Sequence, residues 1–330
     1  MKTYRYAVAA LLSSTACAAF AQSSVNVFGK VVMQVAHRDS GTSAAANIPT
    51  AVGTSMNGLS SGLGFNGTED MGGGLKAYFV LEHRFKTHNG TQSATAFWEG
   101  KSIVGLSGQY GDVYLGRDYL PAFYPGVKVE PFGYDGSVGS LLAQAWAGYT
   151  LGFNSRGPNM LGYKTPSFGG FSARLATSLG EGTAPNTNGA NIEYAAGPAY
   201  AGIGVSHTND LNRVTIVAAA YDFGFIRPAA WYTTSRHSGN HGRSIALALT
   251  APVGPGVAKA VYQTFDPDTQ SGNLNASAAA GGALRSKVAV GYTYPLSKRT
   301  SITPTLAKGK QDLSTLTSTT AYDVVLRHDF

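Results

Sequence analysis

From Val25 to the end of the chain, apolar side chains occupy every second position in one short segment after another, a pattern that constrains the fold more tightly than any other feature. Val25, Val27, Val31, Met33 and Val35 share one parity, with Asn26, Lys30 and Gln34 on the other. Leu75, Ala77, Phe79 and Leu81 oppose Lys76, Tyr78 and Glu82, and Phe171, Ala173, Leu175 and Leu179 oppose Ser172, Arg174 and Ser178. Successive side chains of a strand point to opposite faces, so each segment reads as a β-strand with one apolar and one polar face. The same reading applies to Ala201, Ile203 and Val205; to Val214, Ile216, Ala218 and Ala220; to Ile245, Leu247 and Leu249; to Val288, Val290, Tyr292 and Tyr294; and to Tyr322, Val324 and Leu326. Recurrence to the last residue predicts one continuous sheet and no second domain.

What the two faces meet follows from composition. Charged residues make up 13% of the chain, against roughly 25% in ordinary soluble domains. After the N-terminus no apolar run approaches the roughly 20 residues of a membrane-spanning helix. Hydrophobic residues spread one in two resolve the conflict: one face meets lipid and the other water. Such a sheet has to close, because open edges in hydrocarbon leave backbone groups unpaired at several kcal/mol each. The expected fold is all-β, an antiparallel transmembrane barrel with Lys30, Lys76, Glu82 and Arg174 lining a wet lumen.

The first residues, MKTYRYAVAALLSSTACAAFAQ, place Lys2 and Arg5 before a short apolar stretch and an Ala19-Phe20-Ala21 cleavage pattern. This reads as a signal peptide, residues 1–21, leaving 22–330 as the exported barrel. A membrane anchor fits less well, since the stretch breaks at Ser13-Ser14-Thr15, and lipidation at Cys17 is disfavoured by Ser14 three residues before it. Removal of the leader takes away the chain's one cysteine, and with it thiol chemistry and disulfides. The formal net charge of +7 is reduced by the loss of Lys2 and Arg5, and no Lys/Arg-rich block of a nucleic-acid binder is present.

Connections come in two lengths. Asp70–Gly74, Gln109–Gly111, Phe168–Gly170, Gly197-Pro198, Asp222–Gly224, Gly254–Gly256 and Leu296–Arg299 are short turns, and they alternate with long polar stretches near 38–60, 86–98, 180–190, 235–242, 267–284 and 309–319. Short periplasmic turns and long extracellular loops alternate in this way in bacterial barrels. Seven short turns imply eight hairpins and sixteen strands. The interval 118–153 is longer than the rest and holds Tyr119, Phe123, Tyr124, Phe132, Tyr134, Leu141, Leu142 and Trp146. It is too apolar for a solvated loop, and a barrel of this size has an aqueous lumen for it to fold into. An extracellular flap is the alternative.

Enzymatic readings find little support. Gly62-Leu63-Gly64-Phe65-Asn66-Gly67 matches a dinucleotide-binding glycine pattern, but no helix follows for a phosphate to sit against. His237 and His241 would suit a metal only on a helix, and Ser238-Gly239-Asn240 reads as loop. No Gly-x-Ser-x-Gly or His-Glu-x-x-His motif occurs. Neither a cofactor nor a catalytic centre is implied. An outer-membrane lipase-like barrel and a soluble secreted all-β protein are the rival classes.

Several stretches resemble the general porins of Gram-negative bacteria, in particular the β-proteobacterial branch. They are SSVNVFGKV at the mature start, GLGFNGTEDMGGGLKAYFVLE from Gly62, VGLSGQYGDVYLGRD from Val104, GYKTPSFGGF from Gly162, YDFG from Tyr221, YPLSKRTS from Tyr294 and the final VVLRHDF. They span nearly the whole mature chain in family order. The resemblance implies a 16-stranded barrel, a homotrimer in the outer membrane, a third extracellular loop (118–153) folded inward, and passive diffusion of ions and small hydrophilic solutes. It also implies that Arg117 and Arg156 face Glu130 and Asp135 across a constriction, where a transverse field would select polar solutes. Arg117 shares the parity of Val113 and Leu115 and reaches the lumen only if the strand bends after Gly116. Gly62, Asn66 and Gly100 stand where the family often carries basic residues, which weakens the expectation of strong anion selectivity. The alternative is a channel specific for one anion or sugar. Phe330, with His328, Leu326, Val324 and Tyr322 at alternate positions, resembles the terminal signal for outer-membrane insertion.

Overall fold

The computed structural model describes residues 24–39, 53–58, 60–136, 138–139, 155–209, 212–237, 240–268, 284–313 and 316–330. The signal peptide and the Cys17 argument therefore lie outside the described residues. Within them the sequence forms sixteen long antiparallel strands: β1 (Ser24–Arg38), β2 (Gly53–Asn57 continued by Ser61–Gly72), β3 (Leu75–Lys86), β4 (Lys101–Gly108), β5 (Gly111–Tyr119), β6 (Arg156–Lys164), β7 (Phe171–Ser178), β8 (Thr187–Ala196), β9 (Ala199–Asn209), β10 (Asn212–Tyr221), β11 (Arg227–His237), β12 (Asn240–Val253), β13 (Gly256–Asp268), β14 (Leu284–Pro295), β15 (Thr300–Leu313) and β16 (Leu316–Asp329). A two-residue strand, Thr91–Gln92, pairs with the end of β3. Each strand pairs with its neighbour in sequence, and β1 also pairs with β16, from Lys30 opposite Asp329 to Arg38 opposite Ala321. The sheet is thus a closed barrel with no free edge, as backbone burial in lipid requires. Beyond the last register pair, Gly29 and Phe330 exchange backbone hydrogen bonds of 3.1 and 3.2 Å, so the terminal residue seals the seam.

The outward face carries the alternating apolar residues, exposed in the isolated chain because lipid is their partner: Val104, Leu115, Leu175, Ile192, Leu247 and Leu306 are each about half exposed. At the short-turn end the outward side chains become aromatic. Phe171 lies 4.8 Å from Tyr194 and Tyr221 4.6 Å from Phe223, ring centre to ring centre. This is the interfacial girdle of a transmembrane barrel.

One segment runs against its expected facing. Val214, Ile216, Ala218 and Ala220 point inward, Ile216 being 1% exposed, while Val217 and Ala219 face out. Both parities are apolar here, so alternation alone cannot choose between them. The choice is made by what lies inside. The chain after β5 forms a short helix α1 (Phe123–Val127) against β8, β9 and β10, and it needs an apolar bed. Leu120, Ala122, Phe123, Met160, Ala176 and Val214 form one buried cluster, and Val129, Phe132 and Val138 join Ile216, Ala218 and Trp231 in another. Strand-interior glycines clear the space. A Cβ at Gly204 would lie 2.7 Å from the Ala122 Cα, and one at Gly291 2.9 Å from the Phe132 ring.

The expected contrast in connection length is also only partly realised. Strands run on toward the long-loop end, so that β9 and β10, β11 and β12, and β15 and β16 are separated by two residues each. The stretches read as loops near 235–242 and 309–319 are therefore mostly strand.

Candidate functional site

The site is built by the described part of the 118–153 segment and the inward side chains it touches. Where β5 ends, Gly116 has φ 124°, and a Cβ there would sit 2.0 Å from the Ser102 carbonyl oxygen. The register with β6 shifts between Gly116 and Asp118. Asp118 is 3% exposed and inward. It accepts from Lys101 at 2.7 Å and from the Tyr124 hydroxyl at 2.9 Å. Burial, then the neighbouring Asp118 carboxylate, pushes the Tyr124 hydroxyl far above its ordinary value. Arg174, inward on β7, lies over the Tyr124 ring at 3.7 Å and bonds Glu193 at 3.2 Å. Glu193 in turn accepts from Tyr200 at 2.7 Å. The segment's backbone is tied to the wall as well: the Ala122 amide donates to the Ser206 hydroxyl at 3.2 Å, and Arg227 donates to the Lys128 carbonyl at 3.1 Å.

Farther along, Pro131–Tyr134 form a turn with Gly133 at φ 65° and Tyr134 at φ 59°. The Tyr134 amide donates to Glu130 at 3.0 Å, and burial followed by the Glu130 charge holds the Tyr134 hydroxyl in its neutral form, well above the usual value. Asp135 then reaches the barrel seam. It accepts from Lys30 on β1 and, at 2.6 Å, from Arg327 on β16, whose guanidinium also grips Asp329 through 2.8 to 3.1 Å contacts. Past it, the Val138 amide donates to Asp323 at 3.4 Å, and Gln34 donates to the same carboxylate. Lys259 stands 5.4 Å from the Phe132 ring, and both it and Lys287 lie within the field of Glu130. Between this stretch and the wall is a cavity of ≈ 320 Å³ lined by Glu130, Asp135, Lys259, Thr303 and Arg327 among others. A second, of ≈ 290 Å³, is lined by Lys30, Glu82, Arg84 and Asp329.

Of the expected site residues, Glu130 and Asp135 are brought to the inner wall by the segment, Lys30 and Arg174 touch the segment, and Glu82 pairs with Arg84 on the same strand. Lys76 is inward in register but exposed near the short-turn end. Arg117 and Arg156 are placed elsewhere than opposite the acids at bonding distance. Arg117 sits opposite Ser102 on the outward parity and donates to the Glu99 carbonyl at 2.9 Å, because the strand keeps its alternation past Gly116, which points Asp118 inward. Arg156 donates to the Gly100 carbonyl at 3.0 Å and lies 4.1 Å over the Tyr119 ring, bonding its hydroxyl. The bases bonded to Asp135 are Lys30 and Arg327, with Lys259 and Lys287 on the same side of the inner wall. Arg327 and Lys287 were legible by parity, since Arg327 alternates with Leu326 and Val324, and Lys287 with Val288 and Val290, whereas Lys259 shares its parity with Val257 and Val261. The Gly62–Gly67 run is strand interior, with a turn and not a helix after it.

The comparisons agree with this geometry. The sequence model for the Gram-negative porin family matches residues 7–313. Outer membrane porin protein 32 of Delftia acidovorans is 33% identical over 340 aligned positions, covering 96% of this chain and 92% of that one. The structure of an anion-selective porin from Comamonas acidovorans superposes with a TM-score of 0.76 at 29% identity, covering 94% of this chain and all of the other. OmpT of Vibrio cholerae in its trimer form shares the fold, with a TM-score of 0.65 at 13% identity over 93% of this chain and 99% of that one. With a closed sixteen-stranded barrel, a lipid-facing apolar band and a charged interior, the chain belongs to the Gram-negative porin family and forms a channel across the outer membrane.

Proposed function

We propose that the 118–153 segment sets the narrowest part of this channel, and that the charges around it give a general diffusion pore a modest preference for small anions. One observation carries the reading: Asp135, well inside the segment, is bonded to Lys30 and Arg327 on the two strands that close the barrel. A segment that leaves the wall at β5 and is tied at the β1–β16 seam occupies cross-section that water and ions would otherwise use. On the described inner wall, basic side chains outnumber acidic ones. Asp118, Glu193, Asp135 and Glu82 are each held by a base, and Lys259 and Arg327 border the larger cavity beside Glu130. Fixed charges of this kind filter solutes by sign and leave transport passive. The similarity to the anion-selective porin from Comamonas acidovorans supports the same direction.

The functional unit is a homotrimer formed after removal of residues 1–21, a reading supported by the family and by the trimer form of the Vibrio OmpT structure. Neither cofactor nor catalytic step enters the mechanism. Single-channel recording in planar bilayers tests it: conductance rises in proportion to salt, and a salt gradient gives a reversal potential on the anion side. Conductance that saturates and is blocked by one solute would favour a solute-specific channel instead.

A further inference from the structure

Beside the Pro131–Tyr134 turn, four strands of the inner wall present a floor of small and hydroxylated side chains. Lys259 on β13 is opposite Gly291 on β14, Gly291 is opposite Thr305 on β15, and Thr305 is opposite Asp323 on β16. Nearer the short turns, Thr293 and Thr303 share a hydrogen bond of 3.0 Å, and Ser301 follows opposite Arg327. The segment from Glu130 to Gly136 roofs this floor and leaves the cavity of ≈ 320 Å³ between them, a volume at the lower end of small-molecule pockets. Glycine keeps the roof close to the wall at its far side, where a Cβ on Gly136 would lie 2.9 Å from the Val325 side chain.

Two opposite charges border the cavity without touching. The Lys259 ammonium makes no ion pair among the described residues; it has the Phe132 ring at 5.4 Å and stands in the field of Glu130 first and Asp135 second. Glu130 lines the same space from the roof and accepts from the Tyr134 amide at 3.0 Å. Asp135 and Asp329, also on the lining, are each bonded to Arg327. A base and an acid that act on each other across a gap leave a field in it, and the field is stronger where water is partly displaced. A solute with one charge gains from one group and is repelled by the other. A solute carrying both charges on neighbouring atoms sets its dipole against the field and gains from both.

We propose that this cavity binds a small zwitterion of the α-amino acid type, with its carboxylate on Lys259, its ammonium on Glu130 and its side chain over Thr293 and Thr303. Ser301 and Asp329 place the lower end of the cavity beside the short turns, so the solute is held behind the segment on the periplasmic side. The inference rests on how the segment packs on the wall and not on the ion preference proposed above, which a salt-gradient reversal potential without added solute tests separately.

The test is a ligand-observed NMR titration of the purified full chain in neutral detergent. Three probes are compared: L-serine, 3-hydroxypropionate, which lacks the ammonium, and ethanolamine, which lacks the carboxylate. Serine should bind about tenfold or more tightly than either of the others, the difference expected when one charged hydrogen bond is lost. K259Q and E130Q should each weaken serine by a similar factor, with K259Q abolishing the advantage over ethanolamine and E130Q the advantage over 3-hydroxypropionate. No saturable binding of serine, or binding of 3-hydroxypropionate as tight as that of serine, overturns the proposal. Unchanged serine affinity in both variants overturns the assignment to this cavity. Should a variant fail to fold, the three probes on the unaltered chain still decide.

Discussion

Replacing Asp135 by Asn removes one negative charge from the described inner face while keeping the side chain's shape. The Asp135 carboxylate is 10% exposed, and its partners Lys30 and Arg327 are 20% and 34% exposed. Hydrogen bonds to charged groups contribute about 1.5 to 3 kcal/mol each. Solvent at the two bases reduces the joint loss to about 1 to 2 kcal/mol. The segment has other anchors, at Ser206, Arg227 and Asp323, so it stays in place. What changes is the field. A monovalent ion passing about 5 Å from a unit charge in a water-like medium feels about 0.8 kcal/mol, and about 0.5 kcal/mol after screening in 0.1 M salt. That is roughly a twofold gain for anions and a twofold loss for cations. The permeability ratio should therefore move about fivefold toward anions. The assay is the reversal potential of the purified channel in a planar bilayer under a tenfold salt gradient. The shift should shrink in 1 M salt, where the Debye length falls to about 3 Å. A variant with the parent reversal potential at low salt would show that permeating ions do not pass Asp135, and the assignment of the narrow region would fall with it.

Other perturbations test other parts of the structure. Arg156→Glu places an acid beside the Tyr119 ring and the Gly100 carbonyl; the reversal potential should move toward cations, and an unchanged value would remove Arg156 from the ion path. Val217→Arg puts a charge on the lipid face between Tyr221 and Arg213 and should lower barrel stability by about 2 to 4 kcal/mol, read from denaturant refolding into vesicles, whereas Ile216→Ser acts on the bed of α1 and should appear as channel noise with insertion retained. Deletion of Phe330 removes the paired hydrogen bonds to Gly29 and should lower the yield of heat-modifiable, folded barrel in refolding, whereas Phe330→Tyr keeps it.

Much of the molecule was readable along the chain because strand alternation is a local signal. Val25 to Val35, Leu75 to Leu81 and Tyr322 to Leu326 needed no knowledge of their neighbours: lipid outside and water inside impose the period of two at each residue separately. The short turns likewise announce themselves through residues such as Gly73 and Gly254, both at positive φ. Sixteen strands followed from counting them. The pore was different. Which parity of Val214 to Ala220 faces inward depends on α1, which lies some ninety residues away in sequence. That Asp135 meets Lys30 and Arg327 depends on the first and last strands meeting at the seam. Arg117 and Asp118 are adjacent, and strand alternation that continues past Gly116 sends Asp118 into the interior in place of the Arg117 that the resemblance implied. Alternation is written into each strand by its own solvent, whereas the filling of the lumen is settled only when distant segments compete for the same inner surface.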